Sequence, residues 1–339
     1  MVNVIHADSD LQEISELAAF SMFDSQIHSN NQMADNTFSL EMPLGAWQDE
    51  KIMRGDFIYI NNTEFGGIVC SVNKNTSTDT ATIKGTNWRG LLAMRIIQPP
   101  DGEAYQVYEN IELNALISAV VGSDYGGLFV VSSVDTGTTV SCQFRYQTKL
   151  AGLSKVLNSV GYSLSCIYDA VRQHVILSAR QCVDYSDTAE ISEDLGINVS
   201  VTAGRVDDYN HCIALGTGEL TERMVREIWL YNGEIYREQP AGLEEEDIRS
   251  MIFDYPNAES EDELLSSAES ELMKYAAMAS MEADLSQLRE DSDMAEDLQL
   301  DDIILAIDSD LGIQETKKVS QRILSITTDR GQTIRTEVD

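Results

Sequence analysis

The chain has 339 residues, of which 43% are hydrophobic and 24% charged, a balance that is ordinary for globular protein. Its 57 acidic and 23 basic residues give a net charge of −34, which repels nucleic-acid phosphates and argues against DNA binding along most of the surface. The length suits two to four structural units with sizeable cores.

The cysteines and the hydropathy pattern predict folding in a reducing compartment. The N-terminus MVNVIHADSDLQE lacks the basic start and apolar core of a signal peptide. No apolar run approaches the ~18–20 residues that span a bilayer, so we expect assembly in the cytoplasm without a membrane anchor. The cysteine count is odd and no Cys-x-x-Cys pair occurs, which favours reduced and mostly buried thiols. They are Cys70, Cys142, Cys166, Cys182 and Cys212.

The first hundred residues have the pattern of a β meander. FSLEMPL alternates apolar and polar residues, the period of a half-buried strand. DFIYINNTEFGGIVCSVNKNTSTDTATIKG then predicts three strands, with an Asn-rich turn after the first and a polar turn at 73–79 after the second. Gly66 and Gly67 within this pattern indicate a bulge or a close backbone approach. The turn residues at 99–102 end the unit.

The next segment has α+β character. NIELNALISAVVGS places apolar residues from Leu113 to Val120 at helical spacing, with Gly122 as a C-terminal stop. KLAGLSKVLNSVGY predicts a second short amphipathic helix. GGLFVVSSVD and TTVSCQFRY, joined by a turn at Thr136 and Gly137, predict a hairpin. SLSCIYDAVRQHVILSA predicts another hairpin.

Strand-like sequence returns before a strongly acidic segment. REIWLYNGEIYRE predicts a hairpin around Asn232 and Gly233, the strongest short hairpin signal in the chain. Residues 241–310 hold 22 acidic and 3 basic residues, a net charge of −19. Within them, 260–263 has the form of a capping box and predicts a long helix. Its apolar face would carry Leu264, Ala268, Leu272, Tyr275 or Ala276, and Ala279.

The last forty residues predict strands again, in DDIILAID, VSQRILSITT and QTIRTEV, with a turn at 329–331 between the second and the third. No internal repeat of solenoid length occurs.

No motif predicts a catalytic, cofactor-binding or metal-binding site. The chain contains no P-loop, no dinucleotide-binding glycine pattern, and neither HExxH nor GxSxG. The glycines of LGTGEL precede Glu219 and lack a basic residue for phosphate, which favours a strand-to-turn role. The four histidines lie in different predicted units, so a zinc site is not indicated. His211 is interpreted as a packed, hydrogen-bonded strand residue.

Two acidic clusters leave other functions open. Residues 244–247 are all acidic, and Asp301, Asp302, Asp308 and Asp310 form a second cluster. Oxygen-rich loops bind calcium, although no EF-hand loop is present. Two carboxylates facing across a cleft would suit a hydrolase. The remaining interpretations are a solvated acidic face and a surface that mimics DNA.

The segment GTNWRGLLAMRII, residues 85–97, contains basic residues in a chain where they are scarce. Trp88 is interpreted as core packing or a buried edge between units rather than as a stacking surface for a sugar or base. Arg89 and Arg95 stand out, and Arg95 is interpreted as an internal tether to a carboxylate or carbonyl group.

This segment resembles a stretch in the hub proteins of long-tailed phages, the siphovirus Gp37-like tail protein group. In that group a Gly-headed motif ends a β unit and leads into a short helix with paired Leu and a following Arg. The junction motif in this chain comprises Gly85, Trp88, Leu91, Leu92, Arg95, Ile96 and Ile97.

Two further segments resemble the same group. NHCIALGTGEL is similar to its second motif, at Asn210, His211, Ile213, Leu215, Gly216, Gly218, Glu219 and Leu220. The C-terminal DDIILAIDSDLGIQETKKVSQRILSI is a weaker match. It departs from the group at Asp302 and Ala306, where a smaller or glycine-like pattern is common.

The resemblance implies a mainly β fold with an α+β insertion. Two tube-like β-barrel hub domains would be joined by an α+β domain and an acidic helical insertion, and the junction motif would mark the exit from the first barrel. The implied bounds are 1–98 for the first barrel, 99–185 for the α+β domain, 186–240 with 296–339 for the second barrel, and 241–295 for the insertion.

The resemblance also implies a function, a trimeric tail-tip or baseplate hub in the virion that is not an enzyme and carries no cofactor. Its partners would be the tail tube or distal tail proteins and the tail-tip fibre or lysin proteins, with roles in host attachment and DNA ejection. DNA would pass through the lumen without specific binding, since acidic walls repel phosphate. A carboxylate-dependent cell-wall hydrolase and an acidic calcium-dependent binding module remain the alternatives.

Overall fold

Most of the chain is described in a computed structural model. The described residues are 3–29, 32–187, 190–191, 198–202, 209–231, 234–258, 260–274, 280–284, 298–308, 313–328 and 331–338.

The N-terminal segment forms antiparallel strands, as its alternating pattern predicts. In β4 the apolar residues Phe38, Leu40 and Met42 are buried while their neighbours face outward. The elements in order are β1 (Val4–Ala7), β2 (Glu13–Glu16), β3 (Met22–His28), β4 (Thr37–Pro43), α1 (Leu44–Glu50), β5 (Phe57–Ile60), β6 (Gly66–Asn75), β7 (Thr80–Asn87), α2 (Trp88–Ala93) and β8 (Ile96–Ile97).

The predicted meander is confirmed: β5 pairs with β6, and β6 with β7, both antiparallel. The two glycines within it mark a close backbone approach. A Cβ atom on Gly67 would overlap the carbonyl oxygen of Thr86 and lie 2.6 Å from the Cα of Asn87, and a Cβ on Gly66 would crowd the backbone of Tyr59. Only glycine allows these strands to lie so close together.

The following segment combines short helices with strands. Both predicted helices are confirmed, and Gly122 ends the first of them with a positive φ of 60°. The predicted hairpin of SLSCIYDAVRQHVILSA is confirmed as two paired strands, β13 and β14. The elements are β9 (Gln106–Glu112), α3 (Leu113–Val121), β10 (Phe129–Val131), β11 (Thr139–Phe144), β12 (Gln147–Thr148), α4 (Lys149–Asn158), β13 (Tyr162–Asp169) and β14 (His174–Gln181).

The hairpin predicted for β10 and β11 is wrong. β10 lies parallel to β14, with Phe129 opposite Val175, whereas β11 lies antiparallel to β9. The alternation of apolar residues reveals which face of a strand is buried but not which strand lies beside it. Because Phe129 is buried in the same cluster as the apolar faces of α3 and α4, β10 pairs away from its neighbour in sequence.

The rest of the chain supplies a second set of strands and one longer helix. The elements are β15 (Glu190–Ile191), β16 (Asn198–Thr202), β17 (His211–Leu215), β18 (Val225–Tyr231), β19 (Glu234–Tyr236), β20 (Ser250–Asp254), α5 (Glu261–Lys274), β21 (Ser280–Asp284), β22 (Ile303–Asp308), β23 (Ile313–Thr327) and β24 (Gly331–Val338). The hairpin predicted around Asn232 and Gly233 is confirmed by the pairing of β18 with β19, although these two turn residues lie outside the described residues.

A continuous sheet joins the two ends of the chain. Its strand order includes the path β21-β24-β23-β3-β4-β7-β6-β5-β1-β2, and β23 runs antiparallel to both β24 and β3. One hydrophobic cluster beneath it therefore mixes N-terminal residues such as Phe23 and Ile83 with C-terminal residues such as Val319 and Leu324. A second cluster packs α2, α3 and α4 against β13 and β14, and reaches β5 through Phe57 and Tyr59.

A separate four-stranded sheet has the order β19-β18-β17-β20, with β17 antiparallel to β18 and parallel to β20. The helix α5 covers one face of it. Leu264, Ala268 and Leu272 are buried, as the predicted helical face requires, and pack with residues of the sheet such as Cys212 and Ile228. The remaining positions of that predicted face, 275, 276 and 279, lie outside the described residues.

The chain divides into two compact units. Unit 1 contains Met1–Val199, Glu282–Ile307 and Gln314–Asp339, and unit 2 contains Ser200–Met281 and Asp308–Ile313. The mainly β prediction is confirmed, because strands dominate both units. The compact units group the chain differently from the four predicted domains, since β23 pairs with β3 and so joins residues 296–339 to the N-terminal strands. The assignment to two tube-like barrels stays a prediction.

The cysteine prediction is half right. All five thiols are free, but only Cys166 and Cys212 are buried, whereas Cys70 is exposed and the other two are partly exposed. Cys142 lies on β11, a strand paired only with β9 in the described part of the chain, so that its neighbours leave it partly open to solvent.

Candidate functional site

The junction motif lies in unit 1 at the end of β7 and along α2. Asn87 begins the helix: its side-chain oxygen accepts a hydrogen bond from the Gly90 amide, 3.0 Å away, which is the usual role of Asn before a helix. Trp88 follows directly and is completely buried. The local sequence therefore starts a helix and drives its first aromatic side chain inward.

The Trp88 ring connects the N-terminal strands to the following α+β segment. It stacks on Tyr168 of β13 with ring centroids 5.5 Å apart, and on Phe57 of β5 at 6.1 Å. Aromatic pairs at such distances add to the stabilisation that burial alone provides. This placement confirms the interpretation of Trp88 as a core residue.

The other junction residues divide into a buried and an exposed set. Leu91, Leu92 and Ile97 are buried in the same cluster as Trp88. Gly85 packs against the Phe38 ring and the carbonyl of Ile68, with no room for a side chain.

Arg95 and Ile96 are about half exposed, so the interpretation of Arg95 as an internal tether is wrong. Its Nε lies 4.0 Å from Asp124, and its guanidinium covers the Tyr125 ring at 4.7 Å. Arg95 follows the end of the six-residue helix α2, outside the face that is buried.

The internal tether is Arg89, whose side chain is only 3% exposed. Its Nε lies 3.0 Å from Oε2 of Glu64, and its Nη2 donates to the Leu164 carbonyl oxygen. The other carboxylate oxygen of Glu64 accepts the amide of Cys166 at 2.7 Å. One ion pair thus joins the β5–β6 loop, α2 and β13.

Burial disfavours the charged form of both Glu64 and Arg89. For each residue, the opposite charge of its partner and the hydrogen bonds that it makes stabilise the charged form by more than burial destabilises it. The pKa of Glu64 is held below its ordinary value because the Arg89 guanidinium and the Cys166 amide stabilise the carboxylate against its desolvation. Burial by itself would lower the pKa of Arg89, but the Glu64 carboxylate raises it by more, so that the pKa lies above its ordinary value. Both groups are therefore charged at neutral pH.

Two acidic residues that suggested a calcium cluster instead accept hydrogen bonds from the protein. Asp302 is 1% exposed; its Oδ1 accepts from Arg180 at 2.8 Å and from the Val183 amide at 2.9 Å. Asp301 accepts from the Ser163 hydroxyl and from Asn158. In the parts of the chain that the structure describes, no group of three or more His, Cys, Asp or Glu side chains is arranged to hold a metal ion.

These charged contacts surround a cavity of about 330 Å³ within unit 1. Its lining brings together β3, the β5–β6 loop, α2, β13, β14, β23 and β24. The polar side chains that line it include Glu64, Arg89, Ser165, Arg180, Gln299 and Arg322. Arg322 is 5% exposed, and its Nη1 donates to the Gln299 amide oxygen at 2.6 Å.

Glu64, Arg180 and Arg322 are not among the residues that the sequence patterns indicated. A signal for Arg322 exists, because the two-residue period of β23 places it on the same buried face as Ser320 and Leu324. A basic residue on the apolar face of a strand requires a partner or a polar cavity.

The second motif lies in unit 2, on β17 and the turn that follows. Asn210 donates to the Asp247 carbonyl oxygen at 2.9 Å and accepts from the Arg249 amide at 2.7 Å, which fixes the start of the strand. His211 is 8% exposed, stacks on Trp229 and contacts the Ser250 hydroxyl at 2.8 Å, which confirms its interpretation as a packed, hydrogen-bonded residue.

The later residues of the second motif form the strand and its turn. Ile213 and Leu215 lie on β17, and the amide of Gly216, directly after the strand, donates to the Met224 carbonyl oxygen. Gly218, Glu219 and Leu220 form the exposed turn, where Leu220 is 93% exposed. These contacts position a strand and a turn.

The buried cysteine near the ion pair is poorly suited to nucleophilic chemistry. Burial raises the pKa of the Cys166 thiol well above its ordinary value, despite the nearby Arg89. A thiol that stays protonated is a weak nucleophile.

None of the described helices combines the length and apolar character that a bilayer crossing demands.

Comparison with known proteins gives similarity in structure but not in sequence. No family model and no curated protein matches the chain. The tail protein from Neisseria meningitidis MC58 aligns with a TM-score of 0.54 and 11% identity over 99% of this chain and 96% of its own. The 43 kDa tail protein of prophage MuSo2 from Shewanella oneidensis gives 0.58 and 13%, over 99% and 98%. Prophage tail protein gp18 from Listeria monocytogenes EGD-e gives 0.52 and 12%, over 99% and 94%.

The chain therefore has a fold found in phage tail proteins. The resemblance drawn from the sequence motifs is confirmed at the level of the fold, because these alignments span nearly the whole length of both partners. Identities of 11–13% are too low to carry over the role of any single residue.

Proposed function

We propose that this protein is a structural component of the tail of a phage, a prophage or a phage-derived particle, and that it acts at the tail tip without enzymatic activity. The observation that carries the proposal is the similarity to three tail proteins over 99% of this chain and 94–98% of theirs. A match that includes both compact units favours a shared architectural role over a shared single module.

Within the tail, the protein would be a trimeric hub between the hexameric tail tube and the tail-tip fibre or lysin proteins. Two similar β domains in each subunit give three copies six similar edges, which matches the symmetry of a sixfold tube. The junction motif would brace the exit from the first of these domains, a role that the buried stack of Trp88 between Phe57 and Tyr168 supports.

The charge suits a hub that lines or closes a DNA channel. A net charge of −34 repels phosphate, and in a confined passage this repulsion keeps DNA from adhering as it leaves during ejection. Asp301 and Asp302 take no part in it, because both are buried in contacts with the protein. The acidic run 244–247 is exposed and remains available to solvent or to a channel.

The oligomeric state tests the hub proposal. Light scattering of the purified chain should give three times the chain mass of 37.6 kDa, and cryo-electron microscopy of particles should place three copies beneath the tail tube. A protein that is monomeric both in solution and in the particle would contradict the proposal.

The two alternatives predict different results with the same purified protein. A cell-wall hydrolase would release soluble fragments from peptidoglycan, and substitution of one essential carboxylate would abolish the release. A calcium-dependent module would show a large rise in Tm with calcium. A structural hub should show neither effect, with an active lysin as the positive control for the first assay.

A further inference from the structure

We propose that the open edge of the unit 2 sheet, strand β20, binds an extended segment of a partner protein in which apolar and basic residues alternate. The segment would add a further strand to the sheet, with main-chain hydrogen bonds supplying the affinity and side chains the specificity. The inference concerns unit 2 alone and does not depend on the proposed role in a tail.

The main chain of β20 directs hydrogen-bonding groups away from the sheet. On the side of β17, the Arg249 carbonyl oxygen accepts from the His211 amide at 3.1 Å, and the Tyr255 amide donates to the Leu215 carbonyl oxygen at 2.8 Å. Because main-chain groups alternate in direction along a strand, the residues between these contacts that point the opposite way are Ser250, Ile252 and Asp254. Within the described chain β20 pairs with β17 alone, so the outward amides and carbonyls have no strand beside them.

The strand β20 also lacks the features that usually protect a sheet edge, which are lysine, proline, a bulge or a very short strand. Its five residues, SMIFD, pair with β17 without a shift in register. The opposite edge of the same sheet, β19, has only three residues and begins with the exposed Glu234. The edge strand β2 of unit 1 carries Glu13 and Glu16 and lies beside a bulge. Of these three edges, β20 is the one suited to pairing with another chain.

An apolar row on the sheet continues toward this edge. Ile252 is 68% exposed and lies opposite Ile213 of β17, and the next apolar pair is Leu215 with Val225, which is 42% exposed. These side chains lie on the sheet face opposite α5. Exposed apolar groups that adjoin one another mark surfaces for interaction. Apolar residues of an added strand would extend the row and cover Ile252.

The charge beside the edge selects a basic segment. Residues 244–254, which contain β20 and the turn before it, hold five acidic residues and one basic residue, a net charge of −4. Arg223, which pairs with Asp254, and Glu227, which lies opposite Ile213, have opposite charges and leave this balance unchanged. Complementary charge favours the correct partner and like charge rejects a wrong one. A second copy of a chain with a net charge of −34 is therefore a poorer occupant than a basic segment.

A short labelled peptide in which valine and lysine alternate tests the edge with the full-length protein. Fluorescence anisotropy at about 0.15 M salt should give saturable binding, and the same peptide with glutamate in place of lysine should not bind. The decisive control keeps every side chain but carries N-methyl groups on alternate main-chain amides, which removes the hydrogen bonds to a sheet edge. Its affinity should be at least about tenfold lower. Equal affinities would show that charge alone attracts the peptide and would overturn the proposal.

Hydrogen exchange and a pair of variants locate the binding. Exchange of the amides in 250–254 should slow when the valine–lysine peptide is added, and an unchanged rate there would place the peptide elsewhere. Ile252→Lys should weaken the binding at least about tenfold, because lysine repels the peptide and blocks the edge, whereas Ile252→Thr should retain it. Ile14→Lys is the matched control, since Ile14 is 53% exposed on the edge strand β2. Equal losses for the two lysine variants would refute a site at β20.

The mass of the variant in solution separates a partner segment from a second copy. Light scattering of Ile252→Lys and of the unmodified chain should give the same mass, whatever the oligomeric state of the protein. A lower mass for Ile252→Lys would show that β20 pairs with another copy of this chain and would overturn the proposed partner.

Discussion

At the scale of single residues, the decisive feature is a buried ion pair in a chain with few basic residues. Arg89 and Glu64 are 3% and 13% exposed, and both also contact β13, through the Leu164 carbonyl and the Cys166 amide. Removing one partner of a buried pair leaves the other charge without compensation, which costs more than the pair itself contributes. The contact therefore fixes the position of α2 against its neighbours.

Glu64→Gln should lower the free energy of unfolding at pH 7 by about 3–5 kcal/mol, because it leaves the Arg89 charge buried without a carboxylate. Urea unfolding of the variant and wild type measures the difference. Glu103→Gln, at an exposed position, is the matched control and should change stability by less than about 0.5 kcal/mol. A loss for Glu64→Gln as small as that of the control would show that the pair contributes little.

The same pair predicts a pH dependence. The pKa of Glu64 is lowered in the folded protein, so its stabilising contribution is complete above the ordinary carboxyl pKa of 4.5 and is lost as the pH falls through the lower folded value. The stability difference between wild type and Glu64→Gln should therefore stay constant from pH 7 to about pH 5 and narrow below pH 4.5. Urea unfolding curves of both proteins at each pH measure this difference. A difference in stability that widened as the pH fell would contradict the prediction.

At the scale of elements, close strand packing and helix capping hold the junction together. β6 approaches β7 so closely at Gly67 that a Cβ atom would overlap the Thr86 carbonyl. Immediately after β7, Asn87 caps α2 and its amide also donates to the Gln26 carbonyl at 2.6 Å. The end of one sheet strand and the start of the helix are thus fixed by the same few residues.

Gly67→Ala should lower the stability by about 1–3 kcal/mol, because the strands must separate to admit the methyl group. Gly45→Ala in α1 is the matched control, since no atom lies within 4 Å of a Cβ atom there. Alanine is the better helix former, so the control should be neutral or stabilising by up to about 1 kcal/mol. Thermal unfolding distinguishes the two, and equal effects would contradict the close approach.

Asn87→Ala should lower the stability by about 1–2 kcal/mol, because the Gly90 amide and the Gln26 carbonyl both lose their side-chain partner. Asn73→Ala, at an exposed position of β6, removes an amide without such contacts to the helix and serves as the control. Denaturant unfolding measures both. Indistinguishable midpoints for the two variants would refute a role for the cap.

At the scale of the whole molecule, charge is the dominant property. Residues 241–310 contribute −19 of the net −34. Part of that acid serves the fold, as Asp301 and Asp302 accept buried hydrogen bonds, and part is exposed, as at 244–247. The excess is large enough to govern contact with any polyanion.

The purified protein should not be retained on double-stranded DNA, either at about 0.15 M salt or at lower salt, because weaker screening strengthens the repulsion. Gel-shift or DNA-cellulose binding measures this, with a basic DNA-binding protein as the positive control. Retention that increases as the salt is lowered would reveal a basic patch on the surface and contradict the proposed inert passage of DNA.

The patterns that could be predicted from the sequence are those governed by neighbouring residues. The helix α3 and its stop at Gly122, the hairpin of β13 and β14, and the helix α5 after its capping box all follow from local spacing. The strands that pair with β10 and β11 could not be predicted from local spacing, because pairing depends on which strand the rest of the chain brings alongside. In the candidate site, the burial of Trp88 was predicted, while the tether was assigned to Arg95 and belongs to Arg89.

The sequence by itself determined the mainly β character, the positions of α3, α4 and α5, the strong negative charge and a resemblance to tail proteins, because composition and periodicity are local properties. Only the tertiary structure decided that β23 lies beside β3, where Gln321 and Gln26 meet although 295 residues separate them in the chain. It also decided that three arginines from distant segments line one cavity. Contacts of this kind depend on packing of the whole chain, which no single segment encodes.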